Sequence, residues 1–175
     1  MALELKNLDE TTRRYMGLEI KMDAANGLVY RSKYLTEKGL QEWEDLLMEA
    51  ALHHDSGWLA EQLRDEALAV PERQRVDRHG HSRTVRLLPE NLADSEFNRY
   101  YMRGLSLRAI DEDIPYLITY RAKEVSQPVS GVGVEVDPHL LLDDLRTHRK
   151  HTALNIPSNP NSGISVMLPE REPED

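Results

Sequence analysis

Phe97-Asn-Arg-Tyr-Tyr-Met-Arg-Gly-Leu-Ser-Leu-Arg108 carries the helical pattern around which the rest of the chain is organised. Asp94 or Ser95 precedes it as an N-cap, and Pro115 stops it just after Asp113. Large apolar side chains fall on one stripe of such a helix: Phe97, Tyr101, Leu105 and Ile110. We expect a helix over about 94–113 that packs this stripe against the core.

The same stretch is rich in tyrosine and arginine, which protein interfaces concentrate. Arg99, Tyr100 and Arg103 are therefore candidate contacts to a neighbouring subunit. The alternative is that Arg99 and Arg103, at positions i and i+4, form an ordinary solvated face of the helix. That alternative leaves Tyr100 unexplained.

Segments on both sides of this helix have the composition of strands. Residues 116–122 are rich in aromatic and β-branched side chains. Residues 73–77 and 83–88 predict a hairpin around a turn that contains Gly80. The 116–122 strand is a candidate partner for that hairpin in a small antiparallel sheet.

The N-terminal segment changes its pattern part of the way along. Asp9 caps a short helix to Met16, after which apolar and charged residues alternate up to Asp23. Asn26-Gly27 follows, so we favour a hairpin over residues 18–31. One longer helix through Asp23 is the alternative, since Met, Lys, Glu and Ala all favour helix.

Two further helices precede the 73–88 hairpin, and a short one follows the 116–122 strand. Thr36 caps an amphipathic helix whose apolar residues are Leu40, Trp43, Leu47 and Ala50 or Ala51. A second helix over 58–68 ends before Pro71 and completes a helical hairpin. Asp137-Pro138 begins a short helix over 140–145.

The C-terminal segment is the part least like a folded domain. From Val125 onward the chain has no Phe, Tyr or Trp, contains six of its nine prolines, and ends in Pro169-Glu-Arg-Glu-Pro-Glu-Asp175. Such a segment cannot bury enough apolar surface to offset its ordering entropy by itself. We expect an extended polar arm over residues 151–175 that a neighbouring subunit holds; the alternative is that it folds back on its own domain. The candidate arm contacts are Pro157, Pro160, Asn161, Ile164 and Val166.

Composition narrows the class of protein. The 175-residue chain carries a net charge of −9, has a pI near 5.3 and contains no cysteine. The missing cysteine excludes disulfides and thiolate chemistry, and the charge opposes general adhesion to nucleic acid while allowing a local basic patch. No apolar run approaches the roughly 20 residues that span a bilayer. We expect an untargeted protein of the cytoplasm or of a virion.

The predicted 73–88 hairpin is basic within this acidic chain. Against Glu72 and Asp77 it carries five arginines, which are Arg73, Arg75, Arg78, Arg83 and Arg86. Guanidinium groups pair with phosphate or carboxylate in bidentate geometry, so these arginines are candidate contacts to phosphate or to an acidic partner. The alternative is a solvated edge that discourages strand addition.

Two helices followed by a basic hairpin also resemble the order of a winged-helix domain. The helix that would enter the DNA groove is acidic, with Glu61, Asp65 and Glu66 against Arg64. A winged-helix-like DNA-binding protein is therefore the alternative function, and it would bind through the hairpin rather than through that helix.

Motifs for catalysis or for a cofactor are weak. His79 and His81 supply two potential metal ligands, whereas a zinc site needs three or four. Asp111–Asp113 and Asp143-Asp144 lack the calcium-loop pattern, and the chain has no P-loop, dinucleotide-binding glycine pattern or nucleophile elbow. We expect a protein that is not an enzyme and takes no cofactor, with a metal-dependent hydrolase using His79 and His81 as the remaining rival.

A resemblance to known proteins rests on four short runs. They are Phe97-Asn-Arg-Tyr-Tyr-Met-Arg-Gly104, Tyr120-Arg-Ala-Lys123, Leu142-Asp-Asp-Leu-Arg-Thr-His148 and Pro160-Asn-Ser-Gly163. Over about residues 90–168 the chain resembles small head or neck structural proteins of tailed bacteriophages and actinobacterial prophages. The resemblance implies a virion setting, as in a capsid or head-tail connector, with an ordered C-terminal arm. Its motifs have no catalytic meaning, so it assigns no functional residue.

The sequence thus predicts one α+β domain over residues 1–150 and an extended arm over residues 151–175. The domain would contain N-terminal helices and a hairpin, followed by a small antiparallel sheet backed by a helix. The predicted function is that of a non-enzymatic structural subunit of a larger assembly. Its expected partners are other protein subunits, in a homo- or hetero-oligomer.

Overall fold

The computed structural model describes residues 2–86, 88–126, 128, 130–147 and 162–171. Within them the fold is mixed α+β, as the sequence predicts. The elements in chain order are α1 (Glu10–Ala25), α2 (Glu37–His53), α3 (Ser56–Gln62), β1 (Glu72–Val76), β2 (Ser82–Arg86), α4 (Pro89–Asp111), β3 (Leu117–Arg121), β4 (Glu135–Val136), α5 (Pro138–Thr147) and β5 (Ile164–Met167).

Helix α4 is the centre of the fold, because α1, α3 and α5 all pack against it. Phe97, Tyr101 and Leu105 are buried as predicted, but Tyr100 and Met102 on other sides of the helix are buried too. Because other elements pack on several sides of α4, its buried surface is wider than the single apolar stripe that the sequence predicts.

The start of α4 differs from the prediction. The helix begins at Pro89, where a missing backbone N–H costs nothing in the first turn. Asp94, a predicted N-cap, lies inside the helix instead. Its buried carboxylate accepts a hydrogen bond from Lys123 Nζ at 2.5 Å.

Helix α1 shows that the predicted 18–31 hairpin is wrong and that the longer helix is correct. The Asp9 carboxylate accepts from the Thr12 N–H at 2.9 Å, as an N-cap should. The helix then continues past Asp23 to Ala25. Asn26 is its C-cap, and Gly27 follows with φ of +66°, so the Asn-Gly pair ends a helix here rather than turning a hairpin.

The helical hairpin of α2 and α3 is confirmed in order and altered in length. Thr36 Oγ1 accepts from the Gly39 N–H at 3.0 Å, and Trp43 and Leu47 are buried. Asp55 caps α3, which spans only seven residues and ends before the predicted 68. The chain leaving α3 returns beside the start of α2, where Leu35 and Ala69 form an antiparallel bridge.

The strands form two separate sheets, so the predicted pairing of the 116–122 strand with the basic hairpin is wrong. Strands β1 and β2 pair only with each other among the described residues. Strand β3 is the middle of a second antiparallel sheet with the order β4-β3-β5. This sheet packs against α4, and Leu117 is fully buried in it.

Strand β5 places the end of the predicted arm inside the domain. Ile164 and Val166 are 1% and 0% exposed. Tyr101 Oη donates to the Val166 carbonyl at 3.0 Å, and Asn98 Nδ2 donates to the Ile164 carbonyl at 2.9 Å. These two predicted arm contacts are therefore covered by their own chain, as in the fold-back alternative. The other three, Pro157, Pro160 and Asn161, lie outside the described residues.

Candidate binding site on a basic hairpin

The β1–β2 hairpin is confirmed where the sequence predicts it, and it is almost entirely exposed. Within residues 72–86 only Arg73 and Val85 are partly covered. Asp77 organises the turn, since its Oδ1 accepts from the N–H groups of His79 at 2.7 Å and His81 at 3.0 Å. Gly80 has φ of +82°, which favours glycine at this position.

The register of the hairpin sorts its side chains onto two faces. Residues directly opposite each other in an antiparallel pair share a face, and the faces alternate along each strand. One face holds Glu72, Gln74, Val76, Ser82, Thr84 and Arg86. The other face, called the arginine face below, holds Arg73, Arg75, Arg83 and Val85.

The first face satisfies its own polar groups. Arg86 Nε donates to Glu72 Oε1 at 2.8 Å across the strands. Gln74 donates to Thr84 Oγ1 at 2.8 Å and accepts from Ser82 Oγ at 2.9 Å. Arg86 is therefore neutralised within the hairpin.

The arginine face concentrates positive charge. Arg75 lies directly opposite Arg83, and Arg73 is two positions away on the same face. Like charges placed directly opposite each other destabilise a sheet, and no carboxylate shares this face to offset them. Across the described part of the chain, these three arginines form no ion pair. An anion bound here would relieve the repulsion.

A cleft of about 600 Å³ lies beside strand β1 at the base of the arginine face. On the hairpin side it is lined by Arg73, Gln74, Arg75, Val76 and Val85. Its other wall is the segment before α2, which contributes Tyr30, Lys33 and Tyr34. The Arg73 guanidinium lies 5.8 Å from the centre of the Tyr34 ring, within cation–π range. The cleft therefore combines positive charge with aromatic rings.

The tip of the hairpin contains the two histidines considered as metal ligands. The rings of His79 and His81 lie 6.3 Å apart, and His81 Nδ1 lies 3.3 Å from Asp77 Oδ2. Hydrogen bonds to its carboxylate hold the pKa of Asp77 below its ordinary value, and the bond from the His81 N–H has the largest effect. Among the described residues, no group of three or more His, Asp or Glu side chains could hold a metal ion.

The predicted interface residues of α4 lie inside the fold, which corrects both interpretations of them. Arg99, Tyr100 and Arg103 are all buried, so they are neither a contact surface nor a solvated face. Arg103 lies between Glu19 and Asp23 of α1, while the Arg99 guanidinium donates to the Leu145 carbonyl of α5. These side chains fasten three helices to one another.

Buried charges in this network compensate one another. Tyr100 Oη donates to Asp23 at 2.9 Å, and Arg146 Nε donates to Glu19 at 3.1 Å. Burial alone would raise the pKa of Asp23, but the hydrogen bonds and charge of Arg103 hold it below its ordinary value. The sequence feature that could have indicated this network is the i,i+4 spacing of Glu19 and Asp23. This spacing places both carboxylates on the same side of a helix.

Helices α2 and α3 precede the basic hairpin in the order that the sequence predicts. The isolated Leu35–Ala69 bridge joins the segment before α2 to the segment before β1. Helix α3 packs against α4, and the neighbouring Arg64 pairs with the carboxylates of Glu61 and Glu90. The basic surface of this part of the molecule is therefore on the hairpin and not on α3.

No protein-family model, curated protein or solved structure matches this chain. The resemblance to phage head or neck proteins therefore stays a prediction. Of the helices in the described ranges, none has the length and apolar character needed to cross a bilayer. The geometry of the hairpin is the basis on which function is proposed.

Proposed function

We propose that this protein is a non-enzymatic nucleic-acid-binding protein that contacts phosphate groups through the arginine face. The observation that carries this proposal is the grouping of Arg73, Arg75 and Arg83 on one exposed face without a carboxylate. Guanidinium groups bind phosphate in bidentate geometry and stay charged at any physiological pH.

Charge repulsion among these arginines explains why the arginine face should bind an anion. Holding Arg75 opposite Arg83 costs stability in the free protein, and a phosphate between them would recover it. The net charge of −9 restricts contact to this local surface, because the rest of the molecule repels a polyanion. Because binding depends on ion pairs with phosphate, we expect it to weaken as salt is added.

The arginine face would position nucleic acid without reading its sequence. Phosphate contacts fix the register of a protein on its ligand but carry no base information. The acidic α3 region, with Glu61 and Glu66 exposed, offers no basic helix for the major groove. We expect similar affinity for unrelated sequences.

Salt dependence tests the proposal directly. About three phosphate contacts predict a slope of log affinity on log salt of about −2.7 for duplex DNA and about −2 for single strands, or a loss of roughly 20- to 40-fold between about 50 and 200 mM salt. Fluorescence anisotropy with labelled oligonucleotides measures both the affinity and the slope.

A matched pair of variants separates the arginine face from simple positive charge. Arg83→Ala should weaken binding and lower the salt slope by about 0.9, whereas Arg86→Ala, which removes the same single charge from the opposite face, should leave both nearly unchanged. Arg86 is the control because Glu72 already neutralises it. Absence of binding by the natural protein at about 50 mM salt, or equal losses in both variants, would overturn the proposal.

A second candidate function is the structural assembly subunit that the sequence predicts. The hairpin favours it in one respect: among the described residues no further strand pairs with its two outer edges, which a strand of a neighbouring subunit could therefore join. Under this proposal the hairpin replaces the tail as the contacting arm, in a virion or another particle. Light scattering on the full chain at low and moderate salt would reveal a multimer that survives added salt, as backbone pairing requires.

A further inference from the structure

The cleft at the base of the arginine face has a wall that phosphate binding leaves unexplained. Tyr30 and Tyr34 line it beside Lys33, and residue Tyr30 is 37% exposed. Phosphate recognition needs positive charge and hydrogen-bond donors but has no need of aromatic rings. Their presence next to three arginines points to a ligand that has a flat apolar part as well as a phosphate.

We propose that this cleft receives an unpaired base of a single-stranded nucleic acid, stacked against both Tyr30 and Tyr34, while the arginine face holds the adjacent phosphates. The proposal rests on the proposed nucleic-acid binding and names its ligand class. Proteins that bind single strands combine a positively charged groove with aromatic side chains on which bases stack.

The two tyrosines lie on a backbone that the core holds in place. The Trp43 indole donates to the Tyr30 carbonyl at 2.9 Å. The Tyr34 carbonyl accepts from the Val70 N–H at 2.7 Å, and the Tyr34 N–H donates to the buried Ser32 hydroxyl at 3.2 Å. A platform fixed before binding loses little entropy when a base stacks on it.

The arrangement of charge around the tyrosines fits a nucleotide. Arg73 lies over the Tyr34 ring, and Lys33 stands between the two tyrosines in the chain. A base in the cleft would therefore lie near cationic side chains that can meet its own phosphate. The cleft volume of about 600 Å³ falls within the usual range for a small-ligand site.

A duplex could use only part of this site. Its bases are stacked on each other, so a tyrosine ring reaches a base face only where the base is unpaired. Duplex DNA would contact the arginine face alone, whereas a single strand would contact both walls of the cleft. The structure thus implies a preference for single strands that depends on the tyrosines.

The test compares an oligothymidylate of about 16 nucleotides with a duplex of the same length at one salt concentration. We expect the natural protein to bind the single strand about 10-fold more tightly, and Tyr30→Ala and Tyr34→Ala each to lose about 10-fold on the single strand only. Tyr34→Phe should keep the preference because it keeps the ring. Tyr116→Ala, a partly exposed tyrosine outside the cleft, is the matched control.

The outcomes separate this inference from the proposed function. Equal affinity for single strand and duplex, or an equal loss on both in the tyrosine variants, would overturn the stacking site and leave phosphate binding standing. Binding to neither ligand would overturn both. Circular dichroism of each variant shows whether the fold is kept, and the more exposed Tyr30→Ala decides the question if Tyr34→Ala does not fold.

Discussion

Arg103 of α4 and Asp23 of α1 form a two-point ion pair in the interior: Nη1 lies 2.6 Å from Oδ2, and Nη2 lies 2.9 Å from Oδ1. Their side chains are 2% and 8% exposed. Glu19, one turn earlier in α1, accepts from Arg103 Nε at 2.8 Å. The guanidinium therefore restricts both the sliding of α1 along its axis and its rotation about that axis relative to α4.

Replacing Arg103 should cost far more stability than replacing a surface arginine. Arg103→Met would leave Asp23 buried without its cation and Glu19 with Arg146 alone, so we expect a loss of about 3–5 kcal/mol in the free energy of unfolding. Arg14→Met, on the exposed side of α1, is the control and should change it by less than about 0.5 kcal/mol. Urea denaturation measures both. Similar small losses in the two variants would show that the pair contributes little.

The same pair predicts a dependence of stability on pH. Since Arg103 holds the folded-state pKa of Asp23 below its unfolded value of about 3.8, the pair contributes stability above that value and loses it as pH falls through the folded pKa. We expect the urea midpoint to fall below about pH 4. Asp23→Asn should be less stable at neutral pH and show a flatter decline in acid, whereas Asp45→Asn, exposed on α2, should follow the natural protein.

Elements set by neighbouring residues were predictable from the sequence. The caps of α2 at Thr36 and of α5 at Asp137, and the hairpin turn at Gly80, each depend on contacts within a few positions. The arginines of the hairpin were predicted as a group for the same reason. Their division into a neutralised face and an arginine face required the register, which the sequence did not supply.

Features set by distant contacts were missed. Because Glu19 and Asp23 are charged, they suggest a strand-like alternation of apolar and polar residues in what is the helix α1. They are buried because they pair with Arg103, which lies 80 positions after Asp23 in the chain. Likewise, nothing local shows that β5 completes a sheet, since its anchors on α4 lie more than 60 positions earlier. The composition of this segment predicted an extended arm because the core residues that cover it lie far away in the sequence.

Strand β5 changes what a tail deletion should do. An extended arm over residues 151–175 could be removed without unfolding the domain, but a deletion of residues 152–175 also removes Ile164 and Val166 from the core. We now expect the truncated chain to lose its cooperative unfolding transition. A truncated chain with a normal transition would show that β5 is dispensable.

A point substitution tests β5 without removing the chain. Ile164→Ala should lower the free energy of unfolding by about 2–5 kcal/mol, because it leaves a cavity beside α4. Val132→Ala is the control, since its side chain is 48% exposed, and should cost less than about 0.5 kcal/mol. Thermal or urea unfolding of both proteins provides the comparison.

Two glycines in the middle of helices should respond differently to the same substitution by alanine. In an open position, Gly→Ala stabilises a helix by roughly 0.5–1 kcal/mol. At Gly17 of α1 an added Cβ would lie 3.3 Å from Leu52 Cδ2, a half-exposed side chain that can move aside. We therefore expect Gly17→Ala to be neutral or mildly stabilising.

At Gly104 of α4 the added Cβ has no room. It would lie 2.8 Å from both the backbone nitrogen and the Cγ of Met16, where α1 crosses α4. Backbone cannot rotate away, so Gly104→Ala must push the helices apart and lengthen the contacts of Arg103 with Glu19 and Asp23. We expect a net loss of about 1–3 kcal/mol in urea denaturation despite the gain in helix propensity. Equal stability changes at Gly17 and Gly104 would contradict a close crossing of α1 and α4 at this point.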